Sequence, residues 1–331
     1  MLANAPGFGA KTIHYIYKNL KINNLSVNDL FDLEPDELSR LFPEIGRGKF
    51  AKASFSCFLK LDSDDRLYSS FEKLKSDGIT IIGLDDDIYP KCVLQNMADN
   101  APSVLYCKGY LPILSKGGLS IVGARNVSNS EITITKRIAH EFAENGINVI
   151  SGYAKGVDTS AHLGALEANG TTTMILSFGI NYITIKRELE DLNWEKKSLF
   201  VTQFTPYEKF SGKNAMIRNK LVCAMSKAVV VIKSNPEKDN LGKMSGTFDA
   251  AKSAIKMGVP VFVLSPKLLQ PTPQGNLDLI KLGGIEFTDA IDVVKFFEEY
   301  SEHEPVNVNS QSDTKPTSKT AKPYQTSLFN S

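Results

Sequence analysis

Short runs of apolar residues recur through the middle of the chain, and segments with apolar residues at helical spacing separate them. The runs are, in order, ITIIGL, SVLYCKG, LSIVGA, INVIS, TTMILS, LFVTQF, AVVVI, VPVFVLS and GIEFT. In the segment EITITKRIAHEFAENG, Ile134, Ile138 and Phe142 share one helical face, and Gly146 ends the helix. Near-continuous apolar strands that alternate with such helices are typical of a mostly parallel sheet covered on both faces. The pattern therefore predicts an α/β fold with a doubly wound sheet.

The spacing and the number of apolar residues change twice along the chain, which predicts three regions. Residues 1–65 have apolar residues at helical spacing, interrupted at APGFGAK and PEIGRGK, and predict a small helical domain. Residues 66–300 carry the strand pattern. Residues 301–331 hold few large apolar side chains, so we expect a disordered tail there.

Composition narrows the class of protein. The chain has 331 residues, of which 42% are hydrophobic, and its formal net charge is +1, so any anion site must be a local patch. Four cysteines lie in apolar contexts without metal-ligand spacing and indicate buried, reduced thiols: Cys57, Cys92, Cys107 and Cys223. The sequence has no signal-peptide pattern and no apolar segment long enough to span a membrane. We therefore expect a cytoplasmic protein without a metal or a cofactor.

Small and cationic residues follow four of the predicted strands. In an open parallel sheet, ligands bind outside the carboxyl ends of the strands, where backbone amides and helix N-termini can approach an anion. Gly123 and Arg125 follow LSIV, and Ser151, Gly152 and Lys155 lie at the end of INVIS. Lys213 follows LFVTQF, before a predicted helix start at Arg218, Asn219 and Lys220. A second predicted helix start, at Ser245 and Gly246, follows AVVVI. Their convergence on one edge predicts a phosphate-binding surface.

Four blocks of the chain resemble, in order, the defining blocks of the DNA-processing protein A (DprA, or Smf) family. They are SIVGARNVSNSE, VISGYAKGVDTSAHLGAL, GKNAMIRNKLVCAMSKAVVVI and SGTFDAAKSAIKMGVPVFVL. Upstream, DDDIYP is similar to the D-x-x-Y-P motif of that family, and the resemblance covers roughly residues 70–290. It implies an extended Rossmann-like domain, with the N-terminal helical region forming a helix-hairpin-helix or SAM-like domain.

The resemblance also implies a function. Such proteins bind single-stranded DNA, form dimers and help to load a RecA-type recombinase onto that DNA during natural transformation, without acting as enzymes. Carried over by position, the DNA pocket would contain Gly123, Arg125, Ser151, Gly152, Lys155, Lys213, Arg218, Asn219, Lys220, Ser245 and Gly246. The sequence departs from the family pattern at Ala124 and Lys220, and in a Ser245 turn that is lengthened by NPEKDNLGKM.

The turn after LSIV suits DNA better than a dinucleotide. Of the fingerprint G-x-G-x-x-G only Gly123 is present, and Arg125 stands just beyond it. A buried pyrophosphate usually needs the second glycine for close approach, whereas an arginine fits an exposed sugar-phosphate backbone. Ser128 and Glu131 then predict a capping box that begins the next helix.

A second functional hypothesis is a nucleotide sensor or a phosphoribohydrolase of the lysine-decarboxylase-like (LOG) group. Such enzymes look similar around MIRNKLVCAMSKAVVVI and SGTFDAA. They use the glutamate of P-G-G-x-G-T-x-x-E to cleave an N-glycosidic bond. Here the Pro-Gly-Gly is missing, and Asp249, whose side chain is shorter, lies in the region where that glutamate would be needed. The hydrolase or sensor hypothesis is therefore kept as the alternative to DNA binding.

Several residues have both a structural and a functional interpretation. Asp158 suits a helix cap, and His162, which lacks a nucleophile partner, is better explained as a structural histidine. Four aromatic residues near strand ends either stack on bases or belong to the core: Phe178, Tyr182, Phe204 and Tyr207. The Gly7-Phe8-Gly9 turn with Lys11 resembles a helix-hairpin-helix unit, which either contacts a DNA phosphate or serves only in packing.

The end of the predicted tail, YQTSLFNS, contrasts with the polar linker before it. Gln325, Leu328 and Phe329 form a Gln-x-x-Leu-Phe pattern that resembles the peptide by which bacterial DNA-transacting proteins bind the replication sliding clamp. A tethered extended peptide of this kind orders on binding and gains effective concentration at DNA. The alternatives are that the segment packs back on the core or that the pattern is accidental.

Overall fold

All nine apolar runs form strands of one sheet in the computed structural model, which describes residues 5–61 and 64–302. The strands are β1 (Ile79–Gly83), β2 (Val104–Gly109), β3 (Leu119–Val122), β4 (Val149–Gly152), β5 (Thr172–Ile175), β6 (Ser198–Thr202), β7 (Ala228–Val231), β8 (Val261–Leu264) and β9 (Ile285–Phe287). Their spatial order is β1-β2-β6-β5-β4-β3-β7-β8-β9. Strand β2 is antiparallel to both of its neighbours, and the pairs from β6 to β9 are parallel. The prediction of a mostly parallel, doubly wound sheet is confirmed.

Twelve α-helices accompany the sheet in the described ranges. They are α1 (Ala10–Ile22), α2 (Pro35–Leu41), α3 (Phe55–Leu59), α4 (Asp65–Ser76), α5 (Lys91–Met97), α6 (Asn129–Glu144), α7 (Val157–Glu167), α8 (Trp194–Lys197), α9 (Gly212–Ala224), α10 (Gly246–Met257), α11 (Gln274–Lys281) and α12 (Ala290–Glu302). Within the described residues, no helix combines the length and apolar character that crossing a membrane requires. The tail predicted from residue 301 lies outside the described residues, except that α12 continues to Glu302.

Alternate residues of each central strand belong to two separate apolar layers. Val229 and Val231 of β7 pack in the layer that contains α9 and α10, whereas Ala228 and Val230 pack in the layer that contains α6, α7 and α12. Successive side chains of a strand point to opposite faces, so both faces of the sheet are covered. The carboxyl edge of the parallel strands stays open between these two helical layers.

The N-terminal helices have a core of their own. Ile16, Leu30, Leu38, Phe42 and Phe58 are fully or almost fully buried there. Two polar contacts join this helical region to the segments around β1 and β2. His14 Nε2 lies 3.0 Å from the Ala101 carbonyl oxygen, and Tyr17 donates a 2.9 Å hydrogen bond to Asp85 Oδ1. The predicted domain boundary at residue 65 falls where α4 begins, and it stays a prediction.

The prediction of buried cysteines is correct for Cys107 and Cys223, whereas Cys92 is half-buried and Cys57 is exposed. Cys57 precedes the buried Phe58 in α3, and successive helical residues point in different directions.

Candidate functional site

A cleft of about 690 Å³ opens at the carboxyl ends of β3, β4, β5 and β6. Its lining comes from the segments that follow these four strands, and the last of them includes α9. The lining residues are Arg125, Asn126, Tyr153, Ala154, Lys155, Ser177, Phe178, Tyr182, Thr184, Ile185, Lys186, Phe210 and Arg218. Four of them are cationic, and none of these described residues has a carboxylate. Of the predicted site residues, the cleft brings together Arg125, Lys155 and Arg218.

Two glycines hold the first two loops of the cleft against each other. A Cβ at Gly123 would overlap the side chain of Val157, so the end of β3 can pack closely on the start of α7. Gly156 has a φ of +77°, and a Cβ there would come within 2.6 Å of the backbone carbonyl oxygen of Ala124, which is too close for a real side chain. The Val157 amide donates a 3.2 Å hydrogen bond to the same carbonyl. Arg125 and Lys155, both exposed, are therefore carried on adjoining turns.

Arg218 lies inside the protein, behind the surface of the cleft, where only 4% of the residue is exposed. Its Nη1 lies 3.4 Å from Asp158 Oδ2 and 3.2 Å from the Ile175 carbonyl oxygen. A Cβ at Gly152 would overlap the guanidinium, so only glycine leaves room for it there. Burial lowers the pKa of Arg218, and Asp158 opposes that shift. Arg218 Nε has no hydrogen-bond partner within the described part of the chain, so this cation keeps a donor unsatisfied.

The predicted helix start at Arg218 is wrong. Helix α9 begins six residues earlier, at Gly212, because Ser211 caps it by accepting a 3.0 Å hydrogen bond from the Asn214 amide. Arg218, Asn219 and Lys220 consequently lie in the body of the helix. Since successive helical residues point in different directions, Arg218 is buried while Lys220 is exposed.

Ser151 is not at the surface of the cleft, contrary to its predicted place in the pocket. It lies within β4, fully buried, and its hydroxyl donates a 2.6 Å hydrogen bond to the Ile121 carbonyl of β3. Strand β4 thus continues through Ser151 to Gly152, whereas the small serine side chain had suggested that the strand ends before it. The residue ties two strands together below the cleft.

The remaining predicted residues lie beside the cleft rather than in its lining. Lys213 and Lys220 are exposed on α9 at a spacing of seven residues, which places them on one helical face. Asn219 Nδ2 donates a 3.1 Å hydrogen bond to the carbonyl oxygen of Gly246. Ser245 caps α10 through a 3.3 Å hydrogen bond from the Phe248 amide, so the predicted helix start at Ser245 and Gly246 is confirmed.

Lys186, which sequence reasoning missed, is held at the wall of the cleft. Its Nζ donates to the Ala154 carbonyl at 2.8 Å and to Thr159 Oγ1 at 2.6 Å. It also lies 4.3 Å from the centre of the Tyr153 ring. Burial lowers the pKa of Lys186 to about 8. Lys186 lies well beyond the end of β5, in a long connection without a regular spacing, so nothing in the sequence marked this lysine.

Aromatic rings also line the cleft. Of the four rings considered from the sequence, Phe178 and Tyr182 line it, whereas Phe204 and Tyr207 are not among its lining residues. Phe210 was missed, although it lines the cleft and is 56% exposed. An exposed ring beside several cations provides a flat apolar surface next to positive charge.

His162 supports the loop after β4 from below. It is completely buried, with Nε2 2.6 Å from the Gly152 carbonyl oxygen and Nδ1 2.7 Å from Thr172 Oγ1. Burial lowers the pKa of His162 to about 4, so the ring is neutral near pH 7. Asp158 Oδ2 also accepts a hydrogen bond from the Ala154 amide, at 3.2 Å. Both side chains position the turn rather than react, as expected for a structural histidine.

An ion pair occupies the crevice between β3 and β7, where the strand order reverses. Lys233 Nζ lies 2.8 Å from Glu131 Oε1, and the Ala124 amide donates a 2.9 Å hydrogen bond to the Lys233 carbonyl. Glu131 Oε2 accepts the Ser128 amide at 2.7 Å, which confirms the predicted capping box. Burial alone would raise the pKa of Glu131, but hydrogen bonds from Lys233 and Ser128 lower it. The charge of Lys233 is therefore balanced, and the open cationic cleft lies to the β4 side.

The acid suggested by the alternative hypothesis is not in the cleft. Asp249 lies in the first turn of α10 and is not among the cleft's lining residues. Asp158, which lies directly behind the cleft, is already engaged by Arg218 and the Ala154 amide. Neither carboxylate has the placement that cleavage of an N-glycosidic bond in this cleft would need.

A second, smaller cleft of about 440 Å³ lies at the N-terminal helices, where Gly9, Lys11 and Lys49 contribute to its lining. A Cβ at Gly7 would overlap the Lys52 carbonyl, so this glycine allows the two N-terminal turns to pack together. The packing role of the turn is thus visible, and the phosphate-binding role stays a prediction. The predicted clamp-binding residues Gln325, Leu328 and Phe329 lie outside the described residues.

Comparison with known proteins identifies a matching family model. Residues 80–298 match the family model of DNA recombination-mediator protein A. The DNA processing protein DprA of Bacillus subtilis is 27% identical over 230 residues, which cover 69% of this chain and 73% of that relative.

Two solved structures share the fold. DNA processing protein A from Streptococcus pneumoniae has a TM-score of 0.62 at 23% identity, covering 85% of this chain and 97% of that chain. A structure that gives insight into the single-stranded DNA binding mode of DNA processing protein A from Helicobacter pylori has a TM-score of 0.54 at 21% identity. It covers 67% of this chain and 96% of that chain.

Proposed function

Since this chain belongs to the DNA recombination-mediator protein A family, we propose that it binds single-stranded DNA in the cleft at the carboxyl ends of β3 to β6. We further propose that the bound strand is the substrate onto which the protein helps to load a RecA-type recombinase. The protein acts by binding and positioning, without breaking a covalent bond.

One observation carries the proposal: the cleft combines cations with aromatic rings and has no carboxylate among its described lining residues. Cations in a groove neutralise the phosphates of a nucleic-acid backbone, and rings stack on bases without regard to sequence. Arg125 and Lys155 are exposed and reach the backbone from the rim. Tyr182 and Phe210 offer exposed rings in the same lining. This arrangement suits a strand whose bases are unpaired.

The buried cations add charge that is fixed in place before DNA arrives. Arg218 is held by Asp158 and the Ile175 carbonyl, and Lys186 by the Ala154 carbonyl and Thr159. Because these side chains are already ordered, binding DNA costs them little conformational entropy. The exposed Lys213 and Lys220 of α9 would extend the positive surface beyond the cleft.

Single-stranded DNA is favoured over duplex by the chemistry of stacking. In a duplex the base faces are stacked on one another and are not free to contact Tyr182 or Phe210, whereas an unpaired base presents a free face. The Helicobacter pylori protein of the same fold, with its single-stranded DNA binding mode, supports this choice of ligand.

The direct test is fluorescence anisotropy with a labelled thymidine oligonucleotide and an excess of unlabelled duplex. We expect saturable binding that duplex competes for poorly and that weakens as salt is added. Absence of binding would contradict the proposal. So would displacement of the labelled strand by duplex as effective as its displacement by a single-stranded competitor. A parallel incubation with nucleoside monophosphates, monitored for free base, tests the hydrolase alternative.

We also propose that the protein forms a homodimer through the β9 end of the sheet. β9 is the last strand in the sheet order, and exposed apolar side chains surround it at Leu277, Leu282 and Ile285. An edge strand beside apolar side chains suits pairing with a second copy. Binding of the sliding clamp through Gln325, Leu328 and Phe329 remains a separate prediction.

A further inference from the structure

The segment between β7 and α10 forms a small hairpin over residues 237–245. Lys238 and Met244 form an antiparallel bridge, and the Ser245 amide donates a 2.9 Å hydrogen bond to the Glu237 carbonyl. At the turn, Asp239 Oδ1 accepts hydrogen bonds from the Leu241 and Lys243 amides, each at 2.9 Å. The hairpin is therefore a built structure with its own hydrogen bonds.

The tip of this hairpin presents a leucine to solvent. Leu241 is 93% exposed, the highest value among the described large apolar side chains. Lys238 and Lys243 are exposed on either side of it. The two carboxylates of the hairpin are engaged, because Asp239 accepts from the turn amides and Glu237 pairs with Lys252 at 2.7 Å. The tip thus presents one apolar side chain between two lysines, and the Asp239 carboxylate keeps its charge while it is bonded to the turn amides.

The base of the hairpin is attached to the helix that carries the buried arginine of the cleft. Ser245 caps α10, and the carbonyl of Gly246 accepts a 3.1 Å hydrogen bond from Asn219 Nδ2. Asn219 follows Arg218 directly in α9. The base of the hairpin therefore lies beside the helix that lines the cleft, at the same edge of the sheet.

We propose that this hairpin is a second contact for single-stranded DNA, an inference that rests on the proposed function. Leu241 packs against an unstacked base, and Lys238 and Lys243 contact the phosphates that flank it. The chemistry favours DNA over a protein partner. A specific protein interface buries roughly 1,000 Å² of surface, and the apolar surface of a single leucine is only a small part of that area. One apolar contact between two cations matches one base between two phosphates.

The experiment measures affinity for a short and a long thymidine oligonucleotide over a range of salt concentrations. Leu241→Ala should bind the long strand about three- to tenfold more weakly with an unchanged salt slope, because an apolar contact releases no counterions. The Lys238→Ala, Lys243→Ala double variant should lower the slope by about 1.4, which is two lost contacts at about 0.7 each on a single strand. Both variants should bind the short strand, which fills only the cleft, like the wild type.

Ile22→Ala is the matched control, since Ile22 is 68% exposed at the end of α1, within the N-terminal helices. The inference is overturned if Leu241→Ala and the wild type bind the long strand equally while Arg125→Ala binds it more weakly. Equal weakening on short and long strands would also overturn it, because the hairpin would then belong to the first site. Failure of the wild type to bind either strand would instead refute the proposed function.

Discussion

Arg218 carries its charge inside the protein, 3.4 Å from the Asp158 carboxylate, whereas Arg125 carries its charge at the surface. The sequence predicted both as residues of one phosphate-binding surface, whereas Arg218 is buried behind that surface. A buried cation of this kind contributes to the cleft's potential and to the fold at once. Replacing Arg218 with alanine should therefore affect both stability and DNA binding, whereas replacing Arg125 should affect DNA binding alone.

Arg218→Ala should destabilise the protein as well as weaken DNA binding. It would leave the Asp158 carboxylate buried without its cation, which typically costs about 3–5 kcal/mol. Urea unfolding of Arg218→Ala and of Lys220→Ala, its exposed neighbour in α9, measures this difference. We expect Lys220→Ala to stay within about 0.5 kcal/mol of the wild type. Equal stability of the two variants would contradict the pairing of Arg218 with Asp158.

Lys186 should make the proposed DNA binding depend on pH in the weakly alkaline range. Its pKa is lowered to about 8, and phosphate favours the protonated ammonium, so affinity should fall as pH rises from 7 to 9. Losing one charge-assisted hydrogen bond corresponds to about tenfold in affinity. Lys186→Arg, which stays charged, should bind with little change over this range. Identical pH profiles for the wild type and Lys186→Arg would show that Lys186 does not contact DNA.

The residues that the sequence located correctly and those that it missed differ in their local context. Arg125 and Lys155 follow buried strands directly, within short turns, so their position at the sheet edge follows from the strands. Lys186 and Phe210 lie in longer connections, whose path depends on packing that spacing does not encode. Ser151 was misplaced by one strand residue, which is enough to move a side chain from the edge into the sheet.

Among the elements, α6 shows how a local signal fixes the geometry next to the site. Its capping box joins Ser128 and Glu131, and Glu131 also holds Lys233. Ser128→Ala should lower the free energy of unfolding by about 1 kcal/mol and leave DNA affinity unchanged, because the capped end is not part of the cleft lining. Thr133→Ala, in the same helix, is the control, and its hydroxyl bonds only to the preceding turn at Asn129. Thermal or urea unfolding that shows equal losses for both variants would contradict the capping role.

The strands were predictable because nearly every one is an apolar run bounded by turn residues, as buried parallel strands must be. The start of α9 was not, because GKNAM is polar and gives little helical periodicity. Its true signal was Ser211, three residues before Asn214, a cap that is easily overlooked beside the more conspicuous RNK segment. Helix ends set by a single hydrogen bond are harder to predict than helix interiors.

At the scale of the whole molecule, the β9 end of the sheet should join two copies. Leu282→Glu with Ile285→Glu would place charges in that interface and should yield a monomer by light scattering at micromolar concentration. Ile88→Glu, at an exposed apolar residue after β1, should leave the dimer intact. A wild type that is monomeric with and without DNA, or a double variant that remains dimeric, would contradict this arrangement.

The net charge of the chain is only +1, so its affinity for DNA must come from where the charges lie. Four cations face or underlie one cleft. Asp158 pairs with one of them, Arg218, whereas Glu131 pairs with Lys233, which is not among the lining residues. Such a distribution predicts binding that is local and dependent on salt, rather than a general attraction to polyanions.

The most direct test of this account is the salt dependence of single-stranded DNA binding by the wild type and by Arg125→Ala. Each lost phosphate contact should lower the slope of log K against log salt by about 0.7. We predict that Arg125→Ala binds more weakly on every strand sequence, with its slope reduced by that amount and its thermal stability unchanged. Lys73→Ala, an exposed lysine in α4 away from the cleft, should match the wild type. If Arg125→Ala keeps the wild-type affinity and slope, DNA does not occupy the cleft.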